Sequence, residues 1–371
     1  MYFFVFSTFI LFIKLLTKIH IVFYFCLMNK LIFFLFFVII CHIIFYQPKN
    51  ETYSDVVISR VDKIIDHNYN VKKLNRQEIS FLGKYLSYVN CDYLINQNVD
   101  KEDSVIKIIQ KCLHNKYQDS YYDTLAEEIK NIFYNNDQIK EDFQSAFKNY
   151  NNLLQDSINP QIIFFNGFFN YYSPFFSTGF ILPEDNSYIG IALEMFLGRN
   201  HEFYKVSWLP QYLRDEFQKE YLVSRSMKCF LINQYGQELL MGERLIDEML
   251  YWGKVHFVLN KILNNYHDTL AFGFTKKELD WCYKNEKRIW RFFIEEEESG
   301  NSILFSSGTE YFYKYINPAG HSKGMPSDSP GMIGRWLGYR IFSSYIKNKK
   351  FKIDAKYTSD LILNSKTYKP Q

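Results

Sequence analysis

Residues 160–198 read PQIIFFNGFFNYYSPFFSTGFILPEDNSYIGIALEMFLG, and this stretch decides the fold. Pro160 ends a run with helical spacing, and the period then changes. Ile162-Ile163-Phe164-Phe165, Phe180–Leu182 and the segment 189–196 are short apolar runs, too brief for helices. Asn166-Gly167 and Pro183-Glu184-Asp185-Asn186 punctuate them as turns do. The pattern predicts a small sheet over about 161–197 within an α+β fold.

Both flanks read as helix. Upstream, Phe81-Leu82, Tyr85-Leu86 and Val89 recur one turn apart, as do Val105, Ile108-Ile109 and Cys112, then Ala126, Ile129 and Ile132-Phe133, and a fourth run spans 143–154. Downstream, Pro210 opens a turn leading into 217–231, and 238–263 is the longest periodic run. Thr275 with Glu278 three residues later has capping-box spacing and starts a helix over 276–294. A polar loop over 317–330 precedes a last strong helix, 331–346. The reading is one mainly helical domain with a small central sheet. Its helical front part runs from 61 to about 158, and a denser block occupies 161–346.

The first forty-six residues are a separate physical object. They are apolar apart from Lys14, Lys18, His20, Asn29-Lys30 and a few others, and such a stretch enters a bilayer or is removed. One reading starts the chain at Met1 with one or two membrane segments. The other starts it at Met28, with Asn29-Lys30 as a positive lead, 31–40 as the apolar core of an export signal and Cys41 as a lipidation site. Residues 47–60 then form a tether. Residues 1–50 hold four lysines and no acid, which leaves 39 basic against 40 acidic residues in the remainder, so bulk charge gives no nucleic-acid footprint. With 47 % hydrophobic and 22 % charged residues the chain is neither disordered nor fibrous.

Motifs for common chemistries are absent. No Cys-x-x-Cys pair occurs, and Cys91, Cys112, Cys229 and Cys282 read as small buried hydrophobes. A Cys91–Cys112 disulfide fits an oxidising envelope compartment, although spacing does not select it. The one His-Glu pair, His201-Glu202, has Lys205 where a zinc peptidase needs its second histidine, and reads as a surface turn. Glu248, Trp252 and His256 stand at i, i+4 and i+8 on one helical face, suited to a polar network or to part of a metal site. Neither a phosphate-binding glycine loop nor a G-x-S-x-G elbow is present. In the 327–340 segment, Gly334 and Gly338 share a face that admits another backbone. Arg335 and Arg340 are placed to meet an acidic group or a peptide carboxylate.

Several segments together resemble the gliding motility lipoprotein GldB family of Bacteroidota. They are Phe164-Phe165-Asn166-Gly167-Phe168-Phe169, the 189–198 run IGIALEMFLG, Trp208-Leu209-Pro210-Gln211-Tyr212-Leu213, the 247–254 run DEMLYWGK, Glu278-Leu279-Asp280-Trp281-Cys282, Asn285-Glu286, Ile289-Trp290, the 292–295 run, and Ser329-Pro330-Gly331 with Gly334, Trp336 and Gly338. The resemblance spans about 51–371 and is strongest after 160. It implies an envelope lipoprotein tied to gliding and to the associated export machinery, starting at Met28 and acylated on Cys41.

The family is distantly similar to zinc metallopeptidases of the HExxH class, which implies a degenerate zincin-like fold. Glu248 resembles the third metal ligand of those enzymes. The helix that should carry the two histidines, 223–235, reads VSRSMKCFLINQY and contains none. With one ligand left, no zinc or other cofactor is expected. The resemblance therefore implies a non-catalytic binding or assembly component whose partners are envelope proteins. The alternative is a hydrolase working around Glu248, His256 and the 327–340 loop. Trp252, Lys254, Arg335, Trp336 and Arg340 form the expected binding face, with the competing reading that both tryptophans are core.

Overall fold

The computed structural model describes residues 55–64, 74–89, 91, 111–112, 120–169, 179–206, 210–239, 242–263, 268–295, 300, 302–353 and 357–371. Residues 1–54, with Met28 and Cys41, lie outside these, as do the expected helix around Val105–Ile109 and Trp208-Leu209. Residues 54–371 form one compact unit. The longer helices among the described residues are α1 (Arg76–Tyr88), α2 (Ser120–Ile132), α3 (Asp137–Leu154), α4 (Leu222–Leu239), α5 (Leu245–Ile262), α6 (Lys276–Lys284), α7 (Glu286–Ile294), α8 (Thr309–Tyr315) and α9 (Ile333–Ile346). None is long and apolar enough to cross a membrane.

Helix α3 shows how the period change becomes structure. Ile139, Phe143, Ala146, Phe147 and Tyr150 bury one stripe, and Gln155 stops the helix in the left-handed conformation at φ 57°. The Asn151 side chain then accepts from the Ile158 N–H and donates to the Ile158 carbonyl, which directs the chain into the sheet. Four strands follow the order β1-β2-β4-β3, with β1 (Ile58–Arg60), β2 (Gln161–Phe165), β3 (Phe180–Ile181) and β4 (Tyr188–Ala192). β1, β2 and β4 run parallel in register Ile58↔Ile162 and Ile162↔Ile189, while β3 closes the edge antiparallel. Parallel strands covered on both faces need uninterrupted apolar sequence, and Ile162 to Phe165 are all buried. Phe81 of α1 packs on Phe165 at 5.2 Å and on Tyr188 at 5.8 Å.

Four expectations change. Residues 58–60 of the expected tether form β1, because a three-residue strand takes its conformation from the partner's ladder and carries no period of its own. Residues 193–196 wind into a 3₁₀ turn and do not extend β4. The 276–294 helix is two helices meeting at Asn285. Cys91 and Cys112 are joined by a disulfide, while Cys229 and Cys282 remain thiols. The Thr275–Glu278 capping box is present, with both reciprocal bonds made.

The tightest packing lies between α5 and α9. α5 is buried almost all round. Gly253 faces the Gly338 backbone, and a Cβ on Gly338 would overlap the Met249 carbonyl oxygen. The neighbour here is helix backbone, which cannot rotate away as a side chain does. Gly334→Ala would meet a side-chain methyl of Ile316 and the Tyr315 carbonyl, each at 3.0 Å, a milder conflict. Gly338→Ala is therefore expected to destabilise by at least the ~3 kcal/mol at the upper end of overpacking costs, and Gly334→Ala by clearly less. Thermal unfolding of the two variants beside wild type checks this, and equal melting temperatures for all three would contradict it.

Candidate functional site

The predicted site residues divide into structural and available groups. Arg340 on α9 is structural. Its Nε and Nη2 bond the two carboxylate oxygens of Glu286 at 2.9 and 3.1 Å, and the Tyr368 hydroxyl donates to the same carboxylate. Trp336 is fully buried beneath Tyr283, and Lys254 is 3 % exposed, with its amine pulled down to about 8 by burial. The five residues expected to form one binding face thus do not lie together on the surface. The reason is geometric: α9 and α5 touch along their glycines, which turns the residues beside that seam inward.

Arg335, Trp252 and Glu248 do come together. The Arg335 guanidinium lies 3.6 Å from the centre of the Trp252 ring, and Trp252 Nε1 donates to Glu248 Oε1 at 3.0 Å. Arg335 is 9 % exposed, and its Nε donates to the Ile316 carbonyl at 2.7 Å. Burial lowers this guanidinium to about 10, against the opposing pull of Glu216 and Glu248. The i, i+4 spacing read from the sequence accounts for the Trp252–Glu248 bond. Burial raises the Glu248 carboxyl, offset in part by the Trp252 bond and Arg335. His256, next on that face, is fully buried against Phe272, with Nδ1 on the Ala271 carbonyl and Nε2 without a partner among the described residues. Burial, then Lys228 and Arg335, keep the imidazole well below its ordinary value, so it is neutral.

Helix α4 supplies two cations where the resemblance implies histidines. Arg225 and Lys228 are one turn apart and share a face. Both approach Glu216, with Lys228 Nζ at 3.2 Å and Arg225 Nε at 3.8 Å. Burial works to raise the Glu216 carboxyl, and these two cations outweigh it, holding it below the usual range. Gly273 leaves the room that the Glu216 carboxylate occupies. The i, i+3 pair of cations was legible in 223–235; Glu216 had no signal, because loop and cluster meet only in the fold. No group of three or more His, Cys, Asp or Glu residues is placed to hold a metal ion among the described residues.

A second polar centre underpins the sheet. Glu194 is fully buried after β4. Its Oε1 accepts from the Gly167 N–H at 2.9 Å and the Phe169 N–H at 3.4 Å, while Oε2 has no partner among the described residues. Phe168 and Phe169 are held at φ 54° and 49°, left-handed values that cost a non-glycine residue about 1–2 kcal/mol each. The Tyr204 hydroxyl donates to the Glu194 carbonyl and accepts from the Leu197 N–H, fixing the turn from the other side.

Burial raises the Glu194 carboxyl to about 7, against backbone N–H groups that favour its charge. The unfolded carboxyl titrates near 4.5, so between 4.5 and 7 the native state binds more protons than the unfolded one. Stability from this group therefore falls as pH rises through that window, by about 3 kcal/mol in total. Glu194→Gln keeps the amide acceptor and removes the titration. Its stability relative to wild type is expected to rise from pH 4.5 to pH 7.5, in denaturant melts at each pH. Parallel pH profiles for the two proteins would contradict the assignment.

Among known families, the model described as gliding motility protein GldB matches residues 46–370. No curated protein and no solved structure matches. The match covers nearly the whole chain, and the chain belongs to this family. It is a lipoprotein of the cell envelope associated with gliding motility and the secretion machinery.

Proposed function

With membership of the GldB family as the premise, we propose that this protein is a non-catalytic assembly component, held at the membrane by acyl chains on Cys41. It engages envelope proteins of the gliding and secretion machinery through the recess around Arg335 and Trp252. The domain is a peptidase-like scaffold of zincin type whose hydrolytic chemistry is gone. One observation carries this reading. Helix α4, where the resemblance implies two metal-ligating histidines, instead turns Arg225 and Lys228 towards Glu216, with Glu248 on the neighbouring α5. Ammonium and guanidinium groups cannot ligate a metal, and their charge repels one.

The Cys91–Cys112 disulfide supports residence outside the reducing cytosol, where such bonds persist. The lipid reading rests on the positive lead at Asn29-Lys30 and the apolar run before Cys41. Its expected outcome is a mature N-terminus at Cys41 carrying acyl mass, measured by intact-mass analysis of protein extracted from membranes. A retained leader without acyl mass would remove the lipid and leave the scaffold reading untouched.

The scaffold reading has its own test. Full-length protein purified without chelator is expected to hold no stoichiometric zinc by elemental analysis. Crosslinking of the wild-type protein in native envelopes is expected to recover machinery proteins. About one zinc per chain, lost together with peptide hydrolysis in Glu248→Ala, would establish an enzyme in place of a scaffold.

A further inference from the structure

The cluster that Arg225 and Lys228 of α4 form with Glu216, Glu248 of α5 and Arg335 of α9 contains more positive than negative charge. Arg225, Lys228 and Arg335 face Glu216 and Glu248, so three cations meet two carboxylates. Glu216 is committed to Lys228 and Arg225. Glu248 accepts from Trp252. Arg335 is left as the unbalanced charge. It is nine-tenths buried, yet the single hydrogen bond of its side chain among the described residues is Nε to the Ile316 carbonyl, and its two terminal nitrogens bond no described protein atom. A buried guanidinium without an anion is costly, and its strongest complement is a group that accepts both parallel N–H bonds at once.

Resting on the scaffold reading above, we infer that this cluster forms a recess that binds one carboxylate of a partner polypeptide, received end-on by the terminal nitrogens of Arg335 over the Trp252 ring. The ligand class follows from charge and shape. One negative charge balances the excess, whereas a phosphate dianion would overshoot it and meet Glu216 and Glu248. A planar carboxylate matches the guanidinium fork. Trp252 fixes the plane of that fork by stacking on it and is itself fixed by Glu248. Arg340 takes no part, because Glu286 already occupies its fork.

A carboxylate can come from an acidic side chain or from a chain terminus, and the test separates the two. Full-length protein in detergent is titrated by calorimetry with three acetylated alanine-rich peptides. One is amidated with a central glutamate, one is its glutamine counterpart, and one has a free carboxyl terminus with no acidic side chain. Inorganic phosphate is the fourth probe. At least one acidic peptide is expected to bind at least tenfold more tightly than the glutamine peptide and than phosphate, and the tighter of the two names the source. Arg335→Lys keeps the charge and loses the fork, and is expected to weaken that peptide at least tenfold. Trp252→Leu removes the stacking surface, and weakening by threefold or more is expected there, which keeps the test open if Arg335→Lys fails to fold.

Equal binding of the glutamate, glutamine and free-acid peptides, tighter binding of phosphate, or unchanged affinity in both variants would each overturn the inference. Failure here remains distinct from failure of the scaffold reading. Machinery proteins crosslinked equally by wild type and Arg335→Lys leave the scaffold standing without this recess. Carboxylate binding without any crosslinked partner leaves the recess and removes the scaffold.

Discussion

Helices α5 and α9 meet backbone to backbone at Gly253 and Gly338, and most of the later half of the domain takes its position from that contact. Side chains larger than hydrogen would separate the axes, and the residues on either side of the seam would no longer point where they do. On α9 the seam places Trp336 inward under Tyr283, Arg335 over Trp252 of α5 and Arg340 against Glu286 of α7. On α5 it leaves Glu248, Trp252 and His256 as one stripe facing α4 and the Ala271–Gly273 turn. The N-terminus of α5 is anchored independently. Asp247 accepts from the Arg244 backbone and guanidinium and from the Ser359 hydroxyl, which ties the start of the helix to the C-terminal segment.

The sheet depends on a different interaction. β2 and β4 are apolar on both faces, so burial drives their assembly, but the turn leaving β2 must place two phenylalanines in left-handed backbone. The Glu194 carboxylate holds that turn through the Gly167 and Phe169 amides. A Cβ at Gly167 would collide with the Tyr88 ring and approach Glu194 Oε1, so glycine is required there by space. Burying a carboxylate with one oxygen unpartnered among the described residues is unfavourable, and the raised pKa of Glu194 reflects that cost. The backbone it holds is sufficient reason for the carboxylate to be there.

Legibility in the sequence followed the range of each interaction. The change of period at Pro160, the Thr275–Glu278 box and the Gly334–Gly338 spacing are local patterns, and each corresponds to a feature of the fold. β1 was hidden because three residues carry no periodicity, and the break at Asn285 because apolar positions continue in phase across it. The capping Asn285 has its side chain on the Trp281 carbonyl, a competition with helix continuation that spacing does not reveal. In the site, Glu248–Trp252 is a local pair and visible in the sequence, and Arg225–Lys228 is local too, but its role depends on a partner outside the helix. Glu216 joins them from a loop, and only tertiary structure brings it there.

Arg335 and Arg340 show why residue type and spacing alone do not identify a binding group. Both lie on α9, and in the sequence both were equally placed to meet an acid. In the fold Arg340 receives a buried, bidentate carboxylate whose remaining capacity is taken by Tyr368. Removing Arg340 there leaves the buried Glu286 carboxylate without its counter-ion, a loss of about 3–5 kcal/mol that concerns stability rather than recognition. Arg335 receives one carbonyl oxygen and an aromatic face, enough to orient a guanidinium but not to neutralise it. The difference lies in what the neighbouring helices bring: α7 offers a complete counter-ion, while α4 spends its own cations on Glu216. An arginine held in place but left with open donors is organised for a ligand before that ligand arrives, which lowers the entropic cost of receiving it.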